Sequence, residues 1–256
     1  MMKNRVALVT GAGKGIGRGI AMKLAEAGYD VGVHYGSSRE GAEGIADKIR
    51  AMGRKAVVIQ GNIQNVEEIR EMFRQFFKEF DHIDLLVNNA GITRMAPFLE
   101  VDEDMWNAVV NTDFKGAFFC AQEAARKMVE TGTKGVIVNI TSNHSIGCWP
   151  NSTVYGPVKA ALDKLTKNMA LDLAKYGIRV VAVAPGYTQL EWFTERSLQH
   201  MEKISKRIPL QRYCTPEEVG GAVVYLASDK AGYITGTTLF MDGGALLPVV
   251  AQNEYC

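Results

Sequence analysis

The stretch "VALVTGAGKGIG", residues 6–17, decides how this chain folds. Its opening run is aliphatic and reads as a buried strand. Glycines at 11, 13, 15 and 17 then lead into a helical pattern that ends at Gly28. Those glycines let the backbone approach a ligand closely. The helix N-terminus presents unpaired N–H groups and a partial positive charge, which suits a phosphate. Glycine-rich turns are common, and alone this one carries little. With a strand before it and a helix after it, a dinucleotide is a better reading than a merely structural turn.

The rest of the chain repeats the alternation. "DVGVHY" (30–35), "KAVVIQG" (55–61), "IDLLVNNAG" (83–91), "GVIVNIT" (135–141), "IRVVAVAPG" (178–186) and "TTLFMDGG" (237–244) read as further strands or strand ends. Helical patterns separate them. Residues 37–53 form one, with Ser37 and Glu40 as an expected capping box and Gly53 as its stop. Ile69, Met72, Phe73, Phe76, Phe77 and Phe80 form an apolar stripe at helical spacing. Trp106, Val109, Val110, Ala117, Phe118 and Ala121 mark a long helix, and another follows Val154. Strands alternating with helices imply βαβ units, parallel strands and right-handed crossovers. The expected fold is α/β: one Rossmann-type, doubly wound parallel sheet over residues 1–256, helices on both faces. The charged, irregular region at about 187–215 follows a strand end and is expected to form a lid.

Bulk properties narrow the class. The chain has 256 residues, 47% hydrophobic and 22% charged, as ordinary soluble globular proteins do. With a formal net charge of +1, nothing argues for nucleic acid or a membrane surface, and neither is expected as partner. No apolar run approaches the ~18 residues a bilayer requires. The N-terminus enters a strand-like run at once, without a signal-peptide layout. Cys120, Cys148, Cys214 and Cys256 form no C-x-x-C pair, so neither a metal site nor a disulfide framework is expected, and a cytoplasmic location is.

"VYGPVKAAL", 154–162, carries the chemistry. Tyr155 and Lys159 lie about one helical turn apart, which puts them on one face. Pro157 between them is tolerated in a first turn, so the helix is expected to start near Tyr155, with Ser152 or Thr153 as cap. As a bare tetramer, Y-x-x-x-K fits any exposed helix. Its place gives it weight: it opens the helix after the fifth strand, and Ser142 lies just past that strand's end. Ligands of parallel α/β sheets bind beyond the carboxyl ends of the strands. Reduction of a carbonyl by hydride needs a proton for the oxygen, and the reverse needs a base. A free tyrosine, with pKa near 10, is a poor base at neutral pH. An ammonium ~4 Å away at an effective dielectric near 20 stabilises a phenolate by about 4 kcal/mol, enough to bring it towards neutrality. Desolvation offsets part of that. Ser142 is placed to hydrogen-bond the substrate oxygen.

The spacing T-G-x-x-x-G-x-G, together with Ser142, Tyr155 and Lys159, resembles the short-chain dehydrogenase/reductase family. The resemblance runs from "VALVTGAGKGIG" to "YITGTTLFMDGG". It implies catalytic roles for Ser142, Tyr155 and Lys159, and for Asn111 in "VVNTDFKG" as part of a water relay to the lysine. Gly11, Gly13, Lys14, Gly15, Ile16 and Gly17 are then cofactor residues. So are Ser37, Ser38 and Arg39 after the second strand, and Asn62 and Ile63 after the third. Asn89, Ala90 and Gly91 belong to "NNAG", which stabilises the sheet and lines the cofactor. Tyr155 and Lys159 also touch the cofactor. Pro185, Gly186 and Thr188 resemble the segment that cradles the nicotinamide. Asn62 in place of an aspartate, Val181 in place of an asparagine and "YGPVK" depart from the usual pattern, and none removes a catalytic group. Family analogy implies a homo-oligomer, tetramer or dimer.

Cofactor choice turns on the end of the second strand, where NAD-binding folds usually place an acid for the ribose 2′-OH. Here the chain reads "HYGSSRE", with Glu40 better explained as a capping residue. Lys14 and Arg39 offer cations instead, though both are also ordinary solvated charges. NADP(H) is therefore preferred over NAD(H). For the substrate, "NHSIGCWP" and the tail after "LFMDGG" resemble the glucose 1-dehydrogenase branch, which implies a sugar- or polyol-like alcohol or ketone. The 3-oxoacyl-carrier-protein reductases share nearly as much. His144, Trp149, Tyr187 and Trp192 are candidate substrate contacts beside Ser142 and Tyr155. His144 is equally a loop histidine bonded to backbone, and Trp149 equally packs the loop. Trp192 and Phe193 either cover an apolar part of the substrate or belong to a subunit contact. A non-catalytic nucleotide-binding regulator is the alternative from another class.

Overall fold

The computed structural model describes residues 4–247. Seven strands form one parallel sheet in the order β3-β2-β1-β4-β5-β6-β7. They are β1 (Val6–Val9), β2 (Asp30–Tyr35), β3 (Ala56–Gln60), β4 (Leu85–Asn88), β5 (Val136–Ile140), β6 (Arg179–Pro185) and β7 (Thr238–Met241). The expected fold is what the chain adopts. β1 is flanked by β2 and β4, so the strand order reverses there and opens a crevice at the carboxyl ends.

Every residue of β1, β2, β4 and β5 is buried, because helices cover both faces. Side chains alternate between two cores. Ala7 and Val9 join Ile20, Leu24, Ile45 and Val223 on one side. Val6 and Leu8 join Met72, Phe76, Cys120 and Met128 on the other. The first core is closed by α1 (Gly15–Glu26), α2 (Arg39–Ala51) and α8 (Pro216–Ala227), the last preceded in the chain by α7 (Glu195–Ser205). The second is closed by α3 (Val66–Glu79), α5 (Ala117–Thr131) and α6 (Tyr155–Leu173). The phenylalanine stripe does as its spacing predicts: Ile69, Met72, Phe73 and Phe76 are buried on α3.

Three local expectations are corrected. Ser37 and Glu40 form no capping box; α2 starts after Ser38, whose side chain makes no cap bond. A capping box stands instead at α8, between Thr215 and Glu218. Neither Ser152 nor Thr153 caps α6; Val154 occupies that position without a side-chain bond. The Ser152 hydroxyl is 2.8 Å from His144 Nδ1. The long helix through Trp106 is interrupted: α4 (Glu103–Val109) passes into a π-helical segment, Val110–Gly116, before α5. Such wide turns often accompany functional sites.

Candidate active site

The glycine turn is built by long-range contacts. A Cβ on Gly17 would stand 2.3 Å from the Gly11 carbonyl oxygen, so only glycine closes this turn onto the helix. The Asn89 amide donates to the carbonyls of Thr10 (2.9 Å) and Gly11 (3.2 Å), tying the end of β4 to the loop. The Thr10 hydroxyl accepts the N–H groups of Asn89 and Ala90, each at 3.0 Å. His34, on β2, completes the support, and sequence reasoning missed it. Its Nδ1 accepts the Gly11 N–H at 3.1 Å, so Nε2 carries the proton and donates to the Gly61 carbonyl at 3.0 Å. Burial pushes its pKa down to about 4, opposed in part by the Gly61 bond, so the ring is neutral.

The α1 N-terminus already binds an anion. The Gly15 N–H donates to Glu191 Oε1 at 2.8 Å, and the adjacent Trp192 ring lies over Gly15, with the Lys14 ammonium 5.5 Å from its centroid. The loop thus turns a backbone donor to a carboxylate oxygen at the helix N-terminus, where a phosphate is expected. Past β2 no carboxylate follows Tyr35 until Glu40, in the first turn of α2. Arg39 is 78% exposed, its Nε 4.0 Å from Glu43. The Asn62 side chain accepts the Gln64 N–H at 3.1 Å, and Ile63 is buried.

A cavity of about 600 Å³ opens beyond the ends of β5 and β6. Ser142, His144, Tyr155, Gly186, Tyr187 and Thr188 line it. α6 begins at Tyr155, and Pro157 falls in its first turn as expected. Buried Lys159 sits one turn on, its ammonium 5.5 Å from the Tyr155 ring centroid. The Ser142 hydroxyl accepts the His144 N–H at 3.2 Å. His144 stacks on Trp149, with centroids 4.0 Å apart, and meets the Tyr155 ring edge-on. The Trp149 indole donates to the Tyr187 hydroxyl at 3.1 Å. Burial lowers the pKa of His144. Thr188 donates to the Gly186 carbonyl at 3.2 Å.

One site expectation changes, and the lysine has a partner that the sequence did not show. Asn111, expected to act through water, makes no direct hydrogen bond to the lysine among the described residues. Asp113, two positions on, forms an ion pair with it: its Oδ2 is 3.0 Å from Lys159 Nζ, and both side chains are buried. The expected lid residue Trp192 covers the glycine loop rather than the cavity, and Phe193 lines the cavity instead. Asn143, also missed, has a buried Nδ2 at the cavity wall with no hydrogen-bond partner among the described residues. Nothing local marks it; it is read only once the β5–β6 ends are brought together.

Comparison with known proteins agrees with this geometry. A family model described as enoyl-(acyl carrier protein) reductase matches residues 11–245. The 3-oxoacyl-[acyl-carrier-protein] reductase FabG of Staphylococcus aureus is 40% identical over 244 residues, 95% of this chain and 99% of that one. The crystal structure of acetoin dehydrogenase from Enterobacter cloacae superposes with a TM-score of 0.90 at 37% identity, covering 99% of this chain and 100% of that one. Acetoin dehydrogenase YohF from Salmonella typhimurium gives 0.88 at 34% identity, covering 96% and 98%. The chain belongs to the short-chain dehydrogenase/reductase family. It is an oxidoreductase acting on alcohol and ketone groups. Among the described residues, no helix is long and apolar enough to cross a membrane.

Proposed function

We propose that this protein transfers hydride between NADP(H) and a small secondary alcohol or ketone of sugar or polyol type. The observation that carries the reading is that Ser142 and Tyr155 line one cavity, with Lys159 one turn behind, at the strand ends beside an anion-accepting glycine loop. When bound, the dinucleotide supplies or accepts the hydride. The chain's own residues do the rest. Ser142 donates a hydrogen bond to the substrate oxygen. Tyr155 gives that oxygen a proton in reduction and takes it in oxidation, and the Lys159 charge favours the phenolate. The cavity's size suits a small ligand.

NADP(H) is favoured by the absence of a carboxylate directly after Tyr35 and by the cations of Lys14 and Arg39. We place the enzyme in the cytoplasm as a homo-oligomer. The α4–α5 region exposes Trp106, Phe118 and Val129, apolar surface of the kind subunit contacts cover. A second reading, reduction of 3-oxoacyl thioesters, is favoured by the identity to FabG.

The test is reduction of NADP⁺ and NAD⁺ across sugars, polyols, acetoin, hydroxysteroids and 3-hydroxyacyl thioesters. Turnover of a sugar or polyol with NADP⁺ is expected. A clear preference for NAD⁺ overturns the cofactor choice, and turnover confined to thioesters selects the second reading.

A further inference from the structure

The buried partner of Lys159 has no role in the reading above. Asp113 is held from two sides. Its Oδ1 accepts the Ile92 N–H at 2.8 Å, and its Oδ2 meets Lys159 Nζ at 3.0 Å. A Cβ on Gly91 would come within 2.7 Å of Oδ2, so the chain beside it leaves room for this carboxylate and little more. The π-helical segment carries Asp113 at its centre and packs against α6. Lys159 also donates to the Ile140 carbonyl at 3.1 Å. The ammonium is thereby fixed by groups from two other elements, the π-helical segment and β5.

That geometry has an electrostatic consequence. An isolated ammonium beside Tyr155 favours phenolate with its full charge. A carboxylate 3.0 Å behind the ammonium cancels part of that field. The charged and titratable groups around the pair are few. Asp113 comes from the π-helical segment, Tyr155 and Asp163 from α6, and His144 from the loop after β5, edge-on to Tyr155. Asp163 is engaged elsewhere, accepting the Thr238 hydroxyl at 3.1 Å. Burial disfavours the charge on Lys159, but Asp113 and then Tyr155 outweigh it and raise its pKa above the ordinary lysine value. The lysine is therefore a fixed cation, and Asp113 is the one buried counter-charge at hydrogen-bond distance among the described residues.

We propose that Asp113 is a positioning residue of the active centre: its carboxylate anchors the Lys159 ammonium and, by partly cancelling its charge, sets the pH at which Tyr155 takes the alcohol proton. This rests on the hydride-transfer reading of Tyr155 and Lys159. Asp113→Asn keeps the shape and the acceptor for Ile92 while removing the charge. The pH at which kcat/KM for alcohol oxidation reaches half its maximum should fall by about one unit. A charge roughly 10 Å away through an effective dielectric near 20 shifts a titration by about that much. NADPH binding should persist, which a fluorescence titration checks. An unshifted profile, or a loss of rate uniform across pH, overturns the proposal.

Should Asp113→Asn not fold, Asp113→Ser provides a smaller neutral side chain with the same expected direction. In the wild-type protein, NMR of labelled lysine Nζ should show the Lys159 ammonium persisting beyond the pH at which exposed lysines lose theirs. Earlier loss overturns the ion pair. Wild type that turns over no alcohol or carbonyl sinks the hydride-transfer reading instead. An active wild type with an unshifted Asp113→Asn profile sinks only the role of Asp113.

Discussion

The Gly15 backbone N–H donates to the Glu191 carboxylate across 2.8 Å, joining the first helix to a segment 176 positions away. A dinucleotide phosphate at that helix N-terminus meets a site that already holds an anion. Glu191→Gln removes the competing charge. At ~0.3–1 kcal/mol for an exposed charge at a helix terminus, NADPH should bind about two- to fivefold more tightly. Isothermal titration measures this, and weaker binding would show that Glu191 assists the nucleotide.

His34 makes stability depend on pH. Its ring is neutral in the fold, with a pKa of about 4, against the ordinary 6.5 when unfolded. Between those values the unfolded chain binds the extra proton. The stabilisation is complete above pH 6.5 and is lost as pH falls through about 4. At 1.36 kcal/mol per unit the loss is roughly 3 kcal/mol. Urea melts at pH 7, 5.5 and 4.5 should show that decline in wild type. In His34→Gln it should be smaller, although less stable at pH 7; equal slopes would contradict the assignment.

Tyr155→Phe deletes the proton donor and leaves the ring against His144. General acid–base groups contribute ~10²–10⁴-fold, and kcat should fall by about that factor while NADPH binding is retained. Steady-state rates beside a binding titration check both halves.

Arg39 is exposed and only loosely paired with Glu43, so it is free to meet a 2′-phosphate. Arg39→Ala should raise KM for NADPH about tenfold, the low end for a hydrogen bond to a charged group, and leave KM for NADH nearly unchanged. A parallel rise for both cofactors would assign Arg39 to the shared part of the nucleotide.

Much of the molecule was legible locally. Strand runs such as "VALV" and "VIVNI" are continuously apolar because helices cover both faces, and that pattern needs no neighbour to be read. Caps were less legible. Ser37 and Glu40 have the right spacing for a box, yet the chain starts α2 one residue later, where Ser38 Oγ lies against Gly41. With Ser38 rather than Ser37 at the N-cap position, the spacing from Ser37 to Glu40 is out of register with the helix start.

By itself the sequence determined the parallel α/β sheet, the glycine turn on α1 and the Tyr155–Lys159 pair at the start of α6, because each depends on periodicity or spacing within one or two elements. Only the tertiary structure decided that Asp113 meets Lys159, that His34 holds Gly11, and that Glu191 reaches Gly15. The physical reason is the same in each case. A π-helical turn changes which residue faces inward, and contacts between distant elements depend on packing that no local spacing encodes.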